Sequence, residues 1–359
     1  MHLAEWFGSH PPLYDIDKTY AENAASGPFF SEKIPERPEV KKQQTFLGIE
    51  VNSLIGIPAG PLLTANWTTL AARLGFDILT YKTIRSREHP AHPLPNMLYV
   101  RAEGDLEKSP TLVATKTPPL SLDALAVTNS FGMPSKTPEF LLQDIARANA
   151  TLGPGQLLIV SIVGTKRENC SFLDDFIDAA HLAKEAGAKV VEANFSCPNV
   201  DKHEGSLYLS PESVSTFTKA LVKALNPIPL VIKVGTFSNN RQLFDTMVAL
   251  AKSGARAICG INTIKRTVVD EAGQFALGLS RPHSGICGGP IRSAALEFIR
   301  AAAEINKKEK LDLAIMGTGG ITLPEHFDLF FHAGADVAMS ATGMLWDPYL
   351  ALRYHMEKL

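Results

Sequence analysis

A chain of 359 residues, 45% hydrophobic and 20% charged, can bury the core of one large α/β domain or of two smaller ones. Its net charge of −2, with no clustered Lys/Arg run, points to small molecules rather than nucleic acid as partners. No apolar run approaches the roughly 18 residues of a membrane span, and the N-terminus MHLAEWFGSHPPLYDIDKTY lacks the pattern of a secretory signal.

Residues 1–46 are rich in proline, charge and isolated aromatics without periodicity. They are expected to form an extension that wraps the main domain, residues 47–359, or covers its bottom. From residue 55 short apolar runs alternate with segments of helical period. The strands are expected at Leu54–Ala59, Ile78–Lys82, Leu157–Val163, Lys189–Phe195, Leu230–Val234, Ala257–Asn262, Leu313–Met316 and Asp336–Ser340. Helical patterns lie between them, as in FLDDFIDAAHLAKEAGA (172–188) and NRQLFDTMVALAKSGA (240–255). Gly187, Gly254 and Gly334 stand where a glycine past a helix end belongs. Eight strands each followed by a helix predict a (β/α)8 barrel, a TIM barrel, rather than an open doubly wound sheet, whose glycine-rich loop would come early. Residues 84–136 form a long insertion after the second strand, expected on the C-terminal face.

Candidate chemistry sits at the C-terminal strand ends, which in a barrel meet around one pocket. Gly288 and Gly289 in GICGG, Gly317, Gly319 and Gly320 in MGTGG, and Ala341-Thr342 after the last strand suggest a backbone cradle for a phosphate, hence a mononucleotide cofactor. Singly, such glycines are turn residues. Lys82 and Lys233 end apolar strands and should face something electron-rich; the plain alternative is a rim lysine or an ion pair. The segment Glu192-Ala-Asn-Phe-Ser-Cys-Pro-Asn199 puts a thiol between two carboxamides. A lone cysteine is commonly a small buried hydrophobe. Cys170, Cys197, Cys259 and Cys287 form no CxxC pair and have no metal-ligand spacing, so no metal site is expected and a reducing cytoplasm is. Carboxamides pair donor with acceptor, matching a flat ring of alternating C=O and N–H. Asn129, Asn194, Asn199 and Asn262 are the four candidates.

These motifs resemble the dihydroorotate dehydrogenases, and the cysteine-base class 1 branch in particular. EANFSCPN resembles that branch's N-x-S-C-P-N loop, and Asn129-Ser-Phe-Gly-Met-Pro134 its substrate-binding N-S-x-G-x-P segment. YKT, VIKVG, INTI, GICGG and GTGGI follow in family order, over about residues 45–350. The resemblance implies an FMN barrel that oxidises dihydroorotate to orotate in pyrimidine synthesis, with Cys197 as the catalytic base. It implies substrate contacts from Lys82, Asn129, Phe131, Gly132, Met133, Asn194, Asn199, Asn262 and Thr263. Ala59, Gly60, Lys82, Thr83, Asn129, Asn194, Lys233, Asn262, Gly288, Gly289, Gly317, Gly319, Gly320, Ala341 and Thr342 would hold FMN.

Three departures stand out. Ala341 replaces the family's usual glycine, residues 266–283 are closer to two-subunit and dihydropyrimidine-type relatives, and the N-terminal extension is not typical of class 1. They leave the electron acceptor open among fumarate, quinone and an electron-transfer subunit; class 1 resemblance implies a homodimer. The alternatives are another FMN barrel acting on a different pyrimidine or enone, and a non-redox barrel binding a phosphorylated ligand.

Overall fold

The structure, a computed structural model, describes residues 11–38, 40, 43–102, 106, 109–196 and 206–358. Eight parallel strands close into the expected barrel. They are β1 (Ile55–Leu62), β2 (Ile78–Ile84), β3 (Leu157–Ile162), β4 (Val190–Asn194), β5 (Leu230–Lys233), β6 (Ala257–Gly260), β7 (Ala314–Thr318) and β8 (Val337–Met339). Each pairs with its successor, and β8 closes on β1 through Ala338↔Ile55 and Met339↔Gly56. Strands covered on both faces read as continuous rather than alternating apolar runs. LLIVSI of β3 and ILTYKTI of β2 are accordingly buried at every residue.

The helices outside begin where a side-chain oxygen can take up a free backbone N–H. Thr137, Ser171, Ser210 and Asn239 accept from the N–H of Phe140, Asp174, Ser213 and Gln242, at the starts of Pro138–Ala150, Phe172–Glu185, Pro211–Leu225 and Asn240–Lys252. Gly187, Gly254 and Gly334 follow helix ends with φ of +87°, +89° and +106°, values costly for a residue with a Cβ.

Inside the barrel polarity changes with height. At the N-terminal strand ends, Ile78, Leu157, Val190 and Val231 pack with Phe46 and Val51 of a small hairpin, Gln44–Phe46 and Ile49–Val51, which closes that end. Two to four residues further along the same strands the buried side chains are polar: Lys82, Ser161, Glu192, Asn194 and Lys233. A polar layer on an apolar floor marks the C-terminal end as the end where ligands are met.

The insertion after β2 does not stand alone. Its strands Met97–Arg101, Thr111–Thr115 and Ala126–Asn129 join Ile264–Val269 and His283–Gly288, from a second excursion after β6, in a closed five-stranded sheet. None of these five strands is among those expected from the sequence, where residues 84–136 stand as one long insertion. Their partners lie more than a hundred residues apart, as in Gly285↔Asn129 and Thr267↔Thr111. No local pattern announces such pairing.

The extension both wraps and plugs. Residues 13–29 fold on themselves: the Asn23 side chain donates to the carbonyls of Asp15 and Thr19 and accepts from the Asp15 N–H, at 2.9, 3.0 and 2.9 Å. Leu13, Tyr14, Tyr20 and Ala24 are buried in the main core. The chain then passes Phe30 against Tyr349 and reaches the floor, where Arg37 donates to both carboxylate oxygens of buried Asp77 at 2.6 and 2.7 Å. Among the described residues no helix is long and apolar enough to cross a membrane.

Candidate active site

One pocket opens at the C-terminal strand ends, bounded by the barrel, the loop after Asn129 and the N-terminal segment. The sequence-predicted residues Ala59, Gly60, Lys82, Thr83, Asn129, Phe131, Met133, Asn194, Lys233, Asn262, Thr263, Gly288, Gly319, Gly320, Ala341 and Thr342 all line it. Gly132, Gly289 and Gly317 are not among its lining. A Cβ on Gly132 would meet the His92 ring at 2.6 Å, and one on Gly289 the Asp123 carbonyl at 2.1 Å. On Gly317 it would meet Phe330 and Ile299 at 2.6 and 2.7 Å, on the helix side of the barrel. These three glycines serve close packing where they stand. Cys197 and Asn199 lie outside the described residues.

The lysines occupy different surroundings. Lys82, 7% exposed, donates from Nζ to the Thr83 carbonyl at 2.7 Å and to the Pro134 carbonyl, and lies 5.5 Å from the centre of the Tyr20 ring. Burial, with Arg85 as a second cation nearby, lowers its pKa to about 7. The two carbonyls and the ring face oppose that shift, because each favours the ammonium form. Lys233 ends β5, 4% exposed, in register with Asn194 on β4.

The three described carboxamides are held by short local bonds. Asn194 Oδ1 accepts the Ser196 N–H at 3.1 Å, and its Nδ2 lies 3.8 Å from Met133 Sδ. Asn262 donates to Ser196, while its Oδ1 accepts the Thr263 N–H at 2.9 Å. Asn129 Nδ2 faces Cys287 Sγ at 3.4 Å. Burial pushes the Cys287 thiol pKa up, keeping it protonated. Sulfur is a weak acceptor, so the Nδ2 groups of Asn129 and Asn194 are weakly engaged by these contacts.

The opposite wall is built of backbone. Between Ile57↔Leu79 and Leu62↔Tyr81 the register of β1 slips, a bulge that turns Pro58, Ala59, Gly60 and Pro61 to the pocket. Gly60, Gly319 and Gly320 adopt φ of +143°, +126° and +85°. A Cβ on Gly320 would strike Arg292 Cβ at 2.5 Å. Arg292 in turn bonds Asp123 of the insertion at 2.6 Å, and His326 Nδ1 accepts the N–H groups of Thr322 and Leu323, each at 3.2 Å. Burial, then the Arg292 guanidinium, lowers the His326 pKa to about 4, so the imidazole stays neutral and can accept. The small-residue cradle is thus fixed from behind. A wall of small residues, buried ammonium groups and carboxamides in one pocket fit a phosphorylated, flat heteroaromatic ligand.

Residues 42–354 match the family model described as dihydroorotate dehydrogenase. The chain belongs to that family. It is 46% identical over 357 residues to the dihydroorotate dehydrogenase of Dictyostelium discoideum, covering 96% of each chain. It is 30% identical over 180 residues to the catalytic subunit of the NAD(+) dihydroorotate dehydrogenase B of Shouchella clausii, covering 50% of this chain and 56% of that one. A solved dihydroorotate dehydrogenase from Eimeria tenella, in complex with ferulenol, superposes with a TM-score of 0.70 at 18% identity, covering 90% and 85% of the two chains. At that identity it supports the fold alone.

Several site residues escape the sequence reading. Tyr14 and Tyr20 line the pocket from the extension that was assigned no function. Arg85 holds the loop after Asn129, donating to the Met133 carbonyl at 3.0 Å and to Thr165 Oγ1 at 2.7 Å. Ser161 joins Thr83 to Glu192 beneath the pocket, at 3.0 and 2.9 Å. Arg85, Ser161 and Glu192 lie within or just past expected strands, where a polar or charged residue in an apolar run is the available signal. Nothing local marks Tyr14 or Tyr20.

Proposed function

We propose that this chain oxidises dihydroorotate to orotate, with FMN bound along the small-residue wall and the substrate at the carboxamide end. The observation that carries this reading is the meeting of Asn129, Asn194, Asn262, Lys82 and Lys233 in one pocket beside that wall. The family membership agrees with it. FMN, when bound, supplies the hydride acceptor of the reaction.

The chain's own residues supply the rest. Ala59, Gly60, Gly288, Gly319, Gly320, Ala341 and Thr342 leave room for cofactor against backbone. Lys233 offers positive charge where negative charge develops during reduction. Asn129, Asn194 and Asn262, with Asn199, read the ring's carbonyl and N–H groups. Lys82 meets the substrate carboxylate. Cys197 takes the proton from C5 while the hydride leaves C6, so the two bonds to hydrogen break and one C=C bond forms. A thiol competes for a carbon-bound proton only as thiolate, which requires surroundings that lower its pKa.

The test is anaerobic addition of dihydroorotate to the purified yellow protein. Bleaching of the flavin band is the expected result, and a band that stays oxidised sends the reading to another pyrimidine or enone. Cys197→Ala should retain flavin and slow its reduction by at least about 100-fold. Reduction at the wild-type rate would remove Cys197 from the base role. Reoxidation of the bleached protein by fumarate, a quinone or NAD+ with a partner subunit then identifies the acceptor.

A further inference from the structure

The pocket has a wall that neither the barrel nor its insertion supplies. Tyr14 and Tyr20 come from the chain before the first barrel strand, yet both line the pocket together with Lys82, Phe131 and Met133. They are 3% and 8% exposed. Tyr20 presents its ring face to the Lys82 ammonium, 5.5 Å from the ring centre, and its edge geometry to Phe131 at 5.9 Å. Tyr14 meets the same Phe131 at 6.0 Å, nearly perpendicular at 74°. Among the described residues the Tyr14 hydroxyl has no hydrogen-bond partner although it is buried. Burial keeps that phenol protonated, so it offers a hydrogen.

The segment is built to hold these rings still. The helix Tyr20–Ser26 opens with a capping box between Thr19 and Glu22, so Tyr20 is its first residue. Asn23, fully buried, ties the helix back to Asp15, the neighbour of Tyr14. A segment that merely covered a hydrophobic flank would need neither an unpartnered phenol at Tyr14 nor a ring face over the Lys82 ammonium at Tyr20.

We propose that Tyr14 and Tyr20 are substrate-specificity residues of the pocket: the Tyr14 hydroxyl donates to a planar, carboxylate-bearing ring, and Tyr20 aims the Lys82 ammonium at that carboxylate. The proposal rests on the functional reading above and adds the N-terminal segment to the binding machinery. Removing the hydroxyl in Tyr14→Phe leaves the ring packing on Phe131 intact. Removing the ring face in Tyr20→Leu leaves Lys82 its bonds to the Thr83 and Pro134 carbonyls without the aromatic contact, and Tyr20→Phe restores the face.

The measurement is orotate and uracil binding, followed by perturbation of the flavin spectrum, together with KM and kcat for dihydroorotate. Tyr14→Phe should raise the orotate Kd and the KM about 10- to 100-fold, the size of one hydrogen bond to a charged ligand, with a much smaller change in kcat. Tyr20→Leu should shrink the preference for orotate over uracil, because uracil has no carboxylate, and Tyr20→Phe should recover most of it. Flavin content and melting temperature report on folding. If Tyr20→Leu fails to fold, Tyr14→Phe decides alone. Orotate and KM values matching wild type in folded variants would overturn the proposal, as would a fall in melting temperature alone, which would make both tyrosines packing residues. A wild-type protein that dihydroorotate does not bleach would remove the functional reading and this proposal with it. Bleached wild type with indifferent variants would remove only the proposal.

Discussion

Lys82 shows how one residue's setting turns into a measurable pH dependence. Its pKa, lowered to about 7 from an ordinary 10.5, means that near neutral pH the empty pocket holds it in both protonation states. An anionic ligand selects the ammonium form and raises that pKa. Orotate affinity should therefore fall as pH rises above about 7, by up to about tenfold per unit, until the pKa of the complex is reached. Isothermal titration at several pH values checks this, and Lys82→Met should bind weakly with a flattened profile. The sign for stability is opposite. The unfolded chain binds the extra proton between about 7 and 10.5, so in the absence of ligand Lys82 makes the protein more stable as pH rises through that window. Asn129 offers a second test at this scale. Among the described residues the hydrogen-bond partner of its Nδ2 is the Cys287 sulfur at 3.4 Å, so Asn129→Ala costs the fold little. It should weaken orotate about tenfold or more while FMN affinity changes far less, read by ligand and flavin titrations of one preparation. Equal loss of both would signal a folding defect.

At the scale of elements, buried carboxylates tie separate secondary structures together. Asp144, on the helix Pro138–Ala150, accepts from the N–H of Ala65 at the start of the helix Ala65–Arg73 and from the Tyr81 hydroxyl of β2, each at 2.7 Å. Asp175 does the same for the loops after β2 and β3, accepting from Ser86 Oγ and from the Thr165 N–H, each at 2.6 Å. Both fix the rim on which the pocket is built. Asp144→Ala leaves a buried N–H and a buried phenol without their acceptor, and should cost about 2–4 kcal/mol in denaturant unfolding. Asp144→Asn, which keeps the shape and one acceptor oxygen, should cost less.

The whole molecule separates stability from chemistry along the barrel axis. The hairpin that carries Phe46 closes the apolar floor, at the end of the strands opposite the pocket. Phe46 is 2% exposed, and Phe46→Ala should lower stability by about 3–4 kcal/mol. The rate at which dihydroorotate reduces the flavin should stay within about twofold of wild type, because among the described residues the core that Phe46 and Val51 join contains none of the pocket's lining. A large loss of rate in a folded Phe46→Ala protein would show that floor and pocket are coupled. The extension spans both ends, from Tyr14 and Tyr20 at the pocket to Arg37 and the hairpin at the floor.

The sequence by itself determined the barrel, its chain order and most of the pocket. Each strand end carries its own polar signal, as in the lysines of LTYKT and VIKVG or the glycines of GTGGI, and closing the barrel brings every such end to one rim. Only the tertiary structure decided the rest, because the relevant neighbours are distant in the chain. Gly317 has the same local look as Gly319, yet it faces the helix layer while Gly319 faces the pocket, a matter of pleat and turn. The five-stranded sheet exists through the pairing of two excursions, each too short to bury a face alone. Tyr14 and Tyr20 stand in a stretch without periodicity, and a packed segment of that kind is placed by the surface it covers rather than by its own pattern.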